Sequence, residues 1–561
     1  MSQPRFVVLG ASGAGLKAAA RARRLLPAAD ITVIDERELI SFGSCGLPYY
    51  LSGEVQRLDA LRETGWGAVR DADFFRTLQG LNVLTGLRIV AIDRDAKAVT
   101  VEHASDGSER TMLMYDKLVY ALGAAPRVPA GCELGPCIMA ATSPEAVRDL
   151  RYDLERRAVS SCIVVGGGIA GLEFTAALTD LWGCEATLVE ATDRLLPAYL
   201  DPDMSRLVES ALERRGVRVR TRLAVTAAET ANGLAVVSTR GEQFVADRAA
   251  LATGIRRRTR LAQAAGLAVG ELGGLIVDAN LRTSDPDILA VGDCIELVDH
   301  TSGEICCLAL GSLSARQGRV AGDVLAGRDT TFPAVVGSVA VRILDQDVAA
   351  TGLSETAALA AGLDPLVAWG CFGDRTQFHP ERRLIYLKLV YEAETDRLLG
   401  LQAIGPGEVV KRVDVFAALL RQDADLADLL DTEFCYSPPF NAPSDPLQDL
   451  AAAVLNARET GLRQVSPFGQ LDGRLVVDVR GRAEFAAGAP PSLPGAVNLP
   501  LEELRGRMGE LPAGRPLLLV CAKGPRSFEA ARILQHHGFH DLVYLAGGVE
   551  MRAGDRRSLT N

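Results

Sequence analysis

The chain has 561 residues, more than one hydrophobic core organises at roughly 100–200 residues per domain, so three to five units are expected. Apolar residues make up 48% and charged residues 23%, as in globular proteins, and a net charge of −11 argues against a general binder of nucleic acid or anionic membrane. No stretch approaches the ~18 apolar residues of a membrane span. The 11 cysteines follow no framework spacing, so a cytoplasmic chain with reduced thiols and no metal site is expected.

The N-terminal apolar run, Arg5 to Leu9, reads as a strand rather than a signal peptide. Gly10, Gly13 and Gly15 follow, then a helical run from Leu16 to Leu26 and a second strand ending at Asp35. This order places a pyrophosphate on a helix N-terminus and a ribose hydroxyl on the acid. The middle glycine is replaced, so the motif reads Gly10-x-Ser12-x-x-Gly15. On the same helix Lys17, Arg21 and Arg24 recur at i, i+4 and i+7 and share a face. That face is either solvated or a dock for a small anionic partner.

Next comes SFGSCGLPYY, Ser41 to Tyr50, with Cys45 between small residues and Pro48 suited to open a helix. A thiol held near a helix N-terminus sits where the backbone dipole favours thiolate. The alternative is a small buried cysteine in a loop. The stretch YDKLVYALGAAPRVP gives a strand and a turn at Gly123 and Pro126 that closes the first unit. Cys132 and Cys137 read as incidental.

SCIVVGGGIAGLEF is a cleaner second motif, with Gly166-x-Gly168-x-x-Gly171 between a strand and a helix. The following strand ends at Glu190, about 20 residues on, where an acid accepts from both ribose hydroxyls and repels a 2′-phosphate. NADH is therefore favoured over NADPH, with Arg194 close by in sequence. The Arg256–Arg258 run reads as a solvated loop. LRTSDPDILAVGDC closes with Asp293, a carboxylate at a strand end. Cys294, Cys306 and Cys307 read as non-redox, since adjacent cysteines rarely pair.

These two motifs, the turns at Gly123 and Gly254, and TSDPDILAVGDC together resemble the pyridine nucleotide–disulfide oxidoreductase superfamily. The resemblance implies that Gly10, Ser12, Gly15, Asp35, Gly123 and Asp293 hold FAD, and that Gly166, Gly168, Gly171 and Glu190 hold NADH. SFGSCGLPYY resembles the SFxxCGxPY motif of the single-cysteine branch: coenzyme A-disulfide reductases, NADH oxidases and NADH-dependent persulfide reductases. In that branch basic residues of the first helix meet coenzyme A phosphates, which points to Lys17, Arg21 and Arg24.

Residues 331–460 read as strands and turns followed by helices, and by resemblance form the dimerisation domain of a homodimer. Its Cys435-Tyr436-Ser437-Pro438-Pro439-Phe440 is similar to the family's YxPPF/Y. Tyr436 is then a proton donor near Cys45 of the other subunit. Where the family often has Tyr-Tyr-Pro, this chain has Phe378-His379-Pro380, and it has Ser444-Asp445-Pro446 where a lysine often precedes Asp-Pro.

After a turn-rich boundary, GLRQVSPFGQLDG, strands and helices alternate through a last α/β unit. Cys521 ends its most apolar strand, and CAKGPRS leads into a helix, a loop whose N–H groups nest an anion with charge added by Lys523 and Arg526. DVR…EF, PGAVNLP, CxxGxRS and a late AGG closely resemble the rhodanese family.

The expected fold is therefore α/β: two Rossmann-like dinucleotide-binding domains, an α+β dimerisation domain and a C-terminal rhodanese domain. The expected limits are 1–150 and 246–330 for FAD, 151–245 for NADH, 331–460 for dimerisation and 461–561 for rhodanese. Ile40 and Ser41 occupy the positions upstream of Cys45, so no partner thiol stands there and the substrate must supply the second sulfur. The expected activity is NADH-driven reduction of persulfide, polysulfide or coenzyme A disulfide at Cys45, with Cys521 handling sulfane sulfur. Two alternatives are an NADH oxidase or peroxidase cycling Cys45 through sulfenic acid, and a sulfur carrier relying on the rhodanese domain.

Overall fold

A computed structural model describes residues 3–469, 473–512 and 514–555. Residues 470–472 of the expected boundary stretch lie outside the described residues. The chain divides into two compact units: Met1–Gly166 with Ala177–Ala186 and Val225–Val335, and Gly167–Ala176 with Thr187–Ala224 and Val336–Asn561.

The first unit is built on a five-stranded parallel sheet in the order Ile288–Ala290, Lys117–Tyr120, Arg5–Leu9, Asp30–Ile34, Asn82–Leu84. Its strands are near-continuous apolar runs because both faces are covered. Phe6, Val8, Leu118 and Ile31 lie at 3% exposure or less. The helix Gly13–Leu25 begins three residues earlier than expected, taking two glycines into its first turn. It lies against the helix Gly311–Leu325 at close range. A Cβ on Gly318 would stand 2.5 Å from the Ala14 carbonyl oxygen, and one on Gly322 2.8 Å from that of Ala18. A second parallel set in this unit joins Ser161–Val165, Arg248–Leu251 and Ile138–Ala140.

In the second unit a five-stranded antiparallel sheet runs Val339–Ile343, Gln346–Gly352, Leu398–Gly405, Leu384–Glu392, Pro365–Gly373. Helices Val410–Leu420, Leu426–Asp431 and Pro446–Thr460 supply its apolar cover through Val413, Phe416, Leu429 and Leu450. The last helix starts with Asp445 as a capping box and stops at Gly461 in the left-handed region, φ 66°. The C-terminal parallel sheet follows, in the order Arg463–Val465, Leu542–Leu545, Leu517–Val520, Leu475–Asp478, Val497–Asn498. Its final helix, Gly548–Gly554, packs on strand Pro365–Gly373. Gly554 fits there because a Cβ would come within 2.7 Å of Leu207 Cδ2.

Candidate active site

The first glycine motif borders a cavity of about 950 Å³ in the first unit. Gly10, Ser12, Asp35, Gly123 and Asp293 all line it, as do Arg256 and Arg258. Gly10 has φ +105° and a Cβ there would meet the Ala121 carbonyl oxygen at 2.3 Å, so only glycine closes this turn. Ser12 stands at the helix N-cap without a side-chain hydrogen bond, and the first turn carries no acid. The helix therefore offers uncommitted N–H donors at the cavity, which fits a diphosphate. Asp35, one residue past the strand end, accepts from the Ala11 N–H at 2.8 Å and from the Arg37 N–H at 2.9 Å. Burial raises the Asp293 carboxyl, partly offset by Ser314 Oγ at 3.3 Å. The Arg256–Arg258 run is not simply solvated. Strand Ile255–Arg257 pairs with Ala124–Pro126, which draws the run over the cavity, and Arg258 joins Glu36 at 2.5 Å.

Cys45 lies in the 3-10 turn Ser44–Gly46, directly before the helix Leu47–Leu51 with Pro48 in its first turn. The thiol is exposed, not the buried loop cysteine of the alternative reading. Gly46 packs closely on Leu61, where an added Cβ would stand 2.4 Å from Leu61 Cδ2 and would displace that side chain. Ser41 adopts φ +54° and donates its N–H to the Ala11 carbonyl at 2.8 Å, tying the loop to the first glycine turn. Arg151 anchors the far side, donating to the Tyr50 and Val55 carbonyls, each at 2.8 Å, with its guanidinium 4.6 Å from the Tyr50 ring centroid.

Beside this loop is a cavity of about 370 Å³ lined by Ser41, Phe42, Gly43, Lys17, Arg24 and Arg70 among others. Arg70 carried no sequence signal because it comes from a loop 46 residues beyond Arg24. Arg21 does not line the cavity. It pairs with Asp323 at 2.7 Å on the neighbouring helix. At about 100° per residue, Lys17, Ala20 and Arg24 fall in one arc and Arg21 sits at its edge, where Gly322 lets that helix approach.

In the second motif Gly166 has φ +114°, and a Cβ would meet the Ala252 carbonyl oxygen at 2.3 Å. The space beside Gly168 is open. Gly171 lies in the helix Ile169–Asp180, its carbonyl accepting from Thr175 Oγ1 at 2.8 Å. Glu190 is 8% exposed and accepts from the Gly167 N–H at 2.6 Å, the Thr192 N–H at 2.7 Å and Thr192 Oγ1 at 2.8 Å. The carboxylate is thus fixed at the glycine turn with one of its about four lone-pair sites left for a ribose. Sequence reasoning passed over Glu173 on this helix, whose carboxyl burial pushes up to about 7.

Cys435, Tyr436 and Phe440 are exposed on the dimerisation sheet's covering segment, Tyr436 at 51% and Phe440 at 66%. The Phe378-His379-Pro380 turn lies beside them, with Thr376 Oγ1 donating to the Pro438 carbonyl at 3.4 Å. Arg412, wholly buried, holds the base of the segment through Asn441 Oδ1 at 3.0 Å and Asp445 at 3.1 Å.

Cys521 follows strand Leu517–Val520 and is 1% exposed. Its Sγ accepts from the Gly524 N–H at 3.1 Å and lies 3.4 Å from Ser527 Oγ. Gly524 adopts φ +118°, and a Cβ on Gly548 would meet the Ala522 carbonyl oxygen at 2.3 Å, which is why the loop needs the late glycine pair. Arg526 does not lend free charge to the loop as expected. Its guanidinium is bound to both carboxylate oxygens of Glu484 at 2.8 Å. Burial pushes the thiols of Cys294 and Cys306 up to about 12, and that of Cys307 upward too, in keeping with no redox part for them. Among the described residues no helix is long and apolar enough to cross a membrane.

Residues 4–309 match the family described as pyridine nucleotide-disulphide oxidoreductase, residues 339–445 its dimerisation domain, and residues 467–551 the rhodanese-like domain. A Pyrococcus abyssi protein named NAD(P)H sulfur oxidoreductase (CoA-dependent) is 31% identical over 450 residues, covering 80% of this chain and 97% of its own. The solved NAD-dependent persulfide reductase of A. fulgidus superposes with a TM-score of 0.92 at 35% identity, over 98% of this chain and 99% of its own. The Bacillus anthracis CoADR-RHD structure gives 0.90 at 28% identity, over 99% and 98%.

Proposed function

The chain belongs to the pyridine nucleotide-disulphide oxidoreductase family and carries a rhodanese-like domain, and we propose that it reduces a persulfide, polysulfide or coenzyme A disulfide at Cys45. The observation that carries this reading is an exposed Cys45 in no disulfide and with no thiol just upstream. The second sulfur of any disulfide chemistry therefore comes from the substrate. When bound, FAD and NADH supply two electrons to this cysteine.

The Cys45 thiolate attacks the inner sulfur of R–S–SH, the S–S bond breaks, and hydrosulfide leaves with the electron pair. Cys45–S–S–R remains, and two electrons and a proton return it to Cys45 thiolate and RSH. Lys17, Arg24 and Arg70 hold the phosphates when R is coenzyme A, and Ser41 keeps the loop against the nucleotide turn. Tyr436 of a second copy delivers the proton to the leaving thiol, which makes the working unit a homodimer. Gly166, Gly168, Gly171 and Glu190 take NADH, with Glu190 selecting against a 2′-phosphate. Cys521 carries sulfane sulfur as a persulfide. Eleven free cysteines suit a reducing cytoplasm.

Stopped-flow reoxidation of the NADH-reduced protein tests the reading. Polysulfide, coenzyme A persulfide or coenzyme A disulfide is expected to reoxidise the flavin faster than O₂ does. A faster reaction with O₂ would identify an oxidase instead.

A further inference from the structure

The helix Leu47–Leu51, which Cys45 directly precedes, has only five residues. A helix this short is not stable by itself in water, so its direction is set by whatever holds its ends. Among the described residues the exposed Cys45 thiol makes no hydrogen bond, so the backbone alone aims it. The near end is tied through Ser41 and Leu61, as described above.

The far end is held by side chains from elsewhere in the chain. The last carbonyls of a helix have no partner within it. Here Arg151, 8% exposed, donates to the Tyr50 and Val55 carbonyls, lies against the Tyr50 ring, and is itself steadied by Glu155 at 2.9 Å from its Nε. Trp182 donates its indole N–H to the Leu51 carbonyl at 2.8 Å. Leu51 is wholly buried, so without that donor its carbonyl has no water to turn to. Gly53 follows in the left-handed region, φ +82°, and packs on Leu181, whose Cδ2 would stand 2.9 Å from an added Cβ. Arg151 lies on the helix Pro144–Glu155, and Trp182 comes just after the helix Ile169–Asp180. Two longer helices thus grip a short one by its carbonyl end.

We propose that Arg151 and Trp182 are positioning residues for Cys45: by holding the carbonyl end of the short helix they set where the thiol stands when it meets the sulfur of the substrate. This rests on Cys45 being the reacting thiol. At ~1.5 Å per residue the thiol stands about 9 Å of helix from Leu51, so a tilt of about 10° there moves it by about 1.5 Å. A misplacement on the order of 1 Å costs up to about a hundredfold in rate. Neither residue lines the cavity of about 370 Å³ beside Cys45, so the grip acts on rate and not on affinity.

The test is Trp182→Phe in the full-length flavoprotein, which keeps an aromatic ring and removes the N–H. Deuterium exchange of the amides from 47 to 55 is expected to speed up about tenfold, with exchange elsewhere within twofold. With coenzyme A persulfide, kcat for sulfide release should fall about tenfold at a KM within twofold, while NADH reduces the flavin at the unmodified rate. Arg151→Met should show the same split, Arg151→Lys should restore most of the loss, and Arg148→Ala on the same helix should change nothing. Unmoved local exchange in Trp182→Phe, an unchanged kcat, or equal losses in both half-reactions would overturn the positioning role while Cys45 stands as the reacting thiol. Full sulfide release by Cys45→Ser would overturn the Cys45 reading itself, and the positioning role with it.

Discussion

Arg412 and Asp445 meet at 3.1 Å with neither side chain exposed, directly beneath the segment that carries Tyr436. Arg412 also reaches Asn441 Oδ1 and the Asp374 carbonyl at 2.9 Å, so one guanidinium joins a helix, a turn and the exposed segment. Asp445 caps the helix Pro446–Thr460 as well. A buried pair of this kind is costly to break, because the remaining charge has no water to replace its partner. Arg412→Ala is expected to lose roughly 3–5 kcal/mol of stability, and chemical denaturation measures it. A loss below about 1 kcal/mol would mean that water takes over the carboxylate.

Cys45→Ser should abolish persulfide-dependent flavin reoxidation while NADH still reduces the flavin at a rate near that of the unmodified protein. Single-wavelength stopped-flow separates the two half-reactions. Retention of NADH-dependent sulfide release would remove Cys45 from the chemistry.

The first helix divides its cations, and two kinds of measurement show it. Lys17→Ala and Arg24→Ala should each raise the KM for a coenzyme A-bearing substrate about tenfold, the loss of one charge-assisted contact. Arg21→Ala should leave that KM alone and instead lower stability by roughly 1–3 kcal/mol, since Arg21 neutralises Asp323.

Glu190→Ala should raise the kcat/KM ratio of NADPH to NADH at least about tenfold, because like-charge opposition to the 2′-phosphate is removed. A ratio unmoved by this change would place nucleotide discrimination elsewhere, with Arg194 the next residue to alter.

Glu173 gives a pH signature. Its folded-state pKa, about 7, lies above the unfolded value near 4.5, so the folded state binds the proton more tightly. The associated stability is present below about pH 4.5 and lost as pH rises through about 7. Between about pH 5 and pH 8 the Tm should therefore fall more for the unmodified protein than for Glu173→Gln. Parallel Tm curves would show that water reaches the carboxylate.

Much of this molecule was legible because short motifs impose their own geometry. Gly10 and Gly166 each stand where a Cβ would strike the carbonyl one residue past the end of the neighbouring strand, and such turns leave a signature that survives the loss of the middle glycine to Ser12. Helical periodicity was less informative. It placed Lys17, Arg21 and Arg24 together, but which side of the arc meets a cavity depends on a helix that comes much later in the chain. Arg70 and Trp182 were invisible for the same reason, each belonging to a segment brought in by the tertiary fold. The partners of Arg526 were also hidden, since Glu484 lies 42 positions away.

The last helix sits on strand Pro365–Gly373 and so ties the rhodanese-like domain to the antiparallel sheet. A Cβ at position 554 would stand 2.7 Å from Leu207 Cδ2 and 3.6 Å from Tyr386 Cζ, and Cys371 is only 2% exposed on the strand that the helix packs against. A chain cut short before the C-terminal domain would bare this greasy seam to water. A foreign sulfurtransferase spliced on in its place would have to offer an equally flat contour. The C-terminal module is thus a fitted part, and exchanging it calls for recutting the surface on both sides.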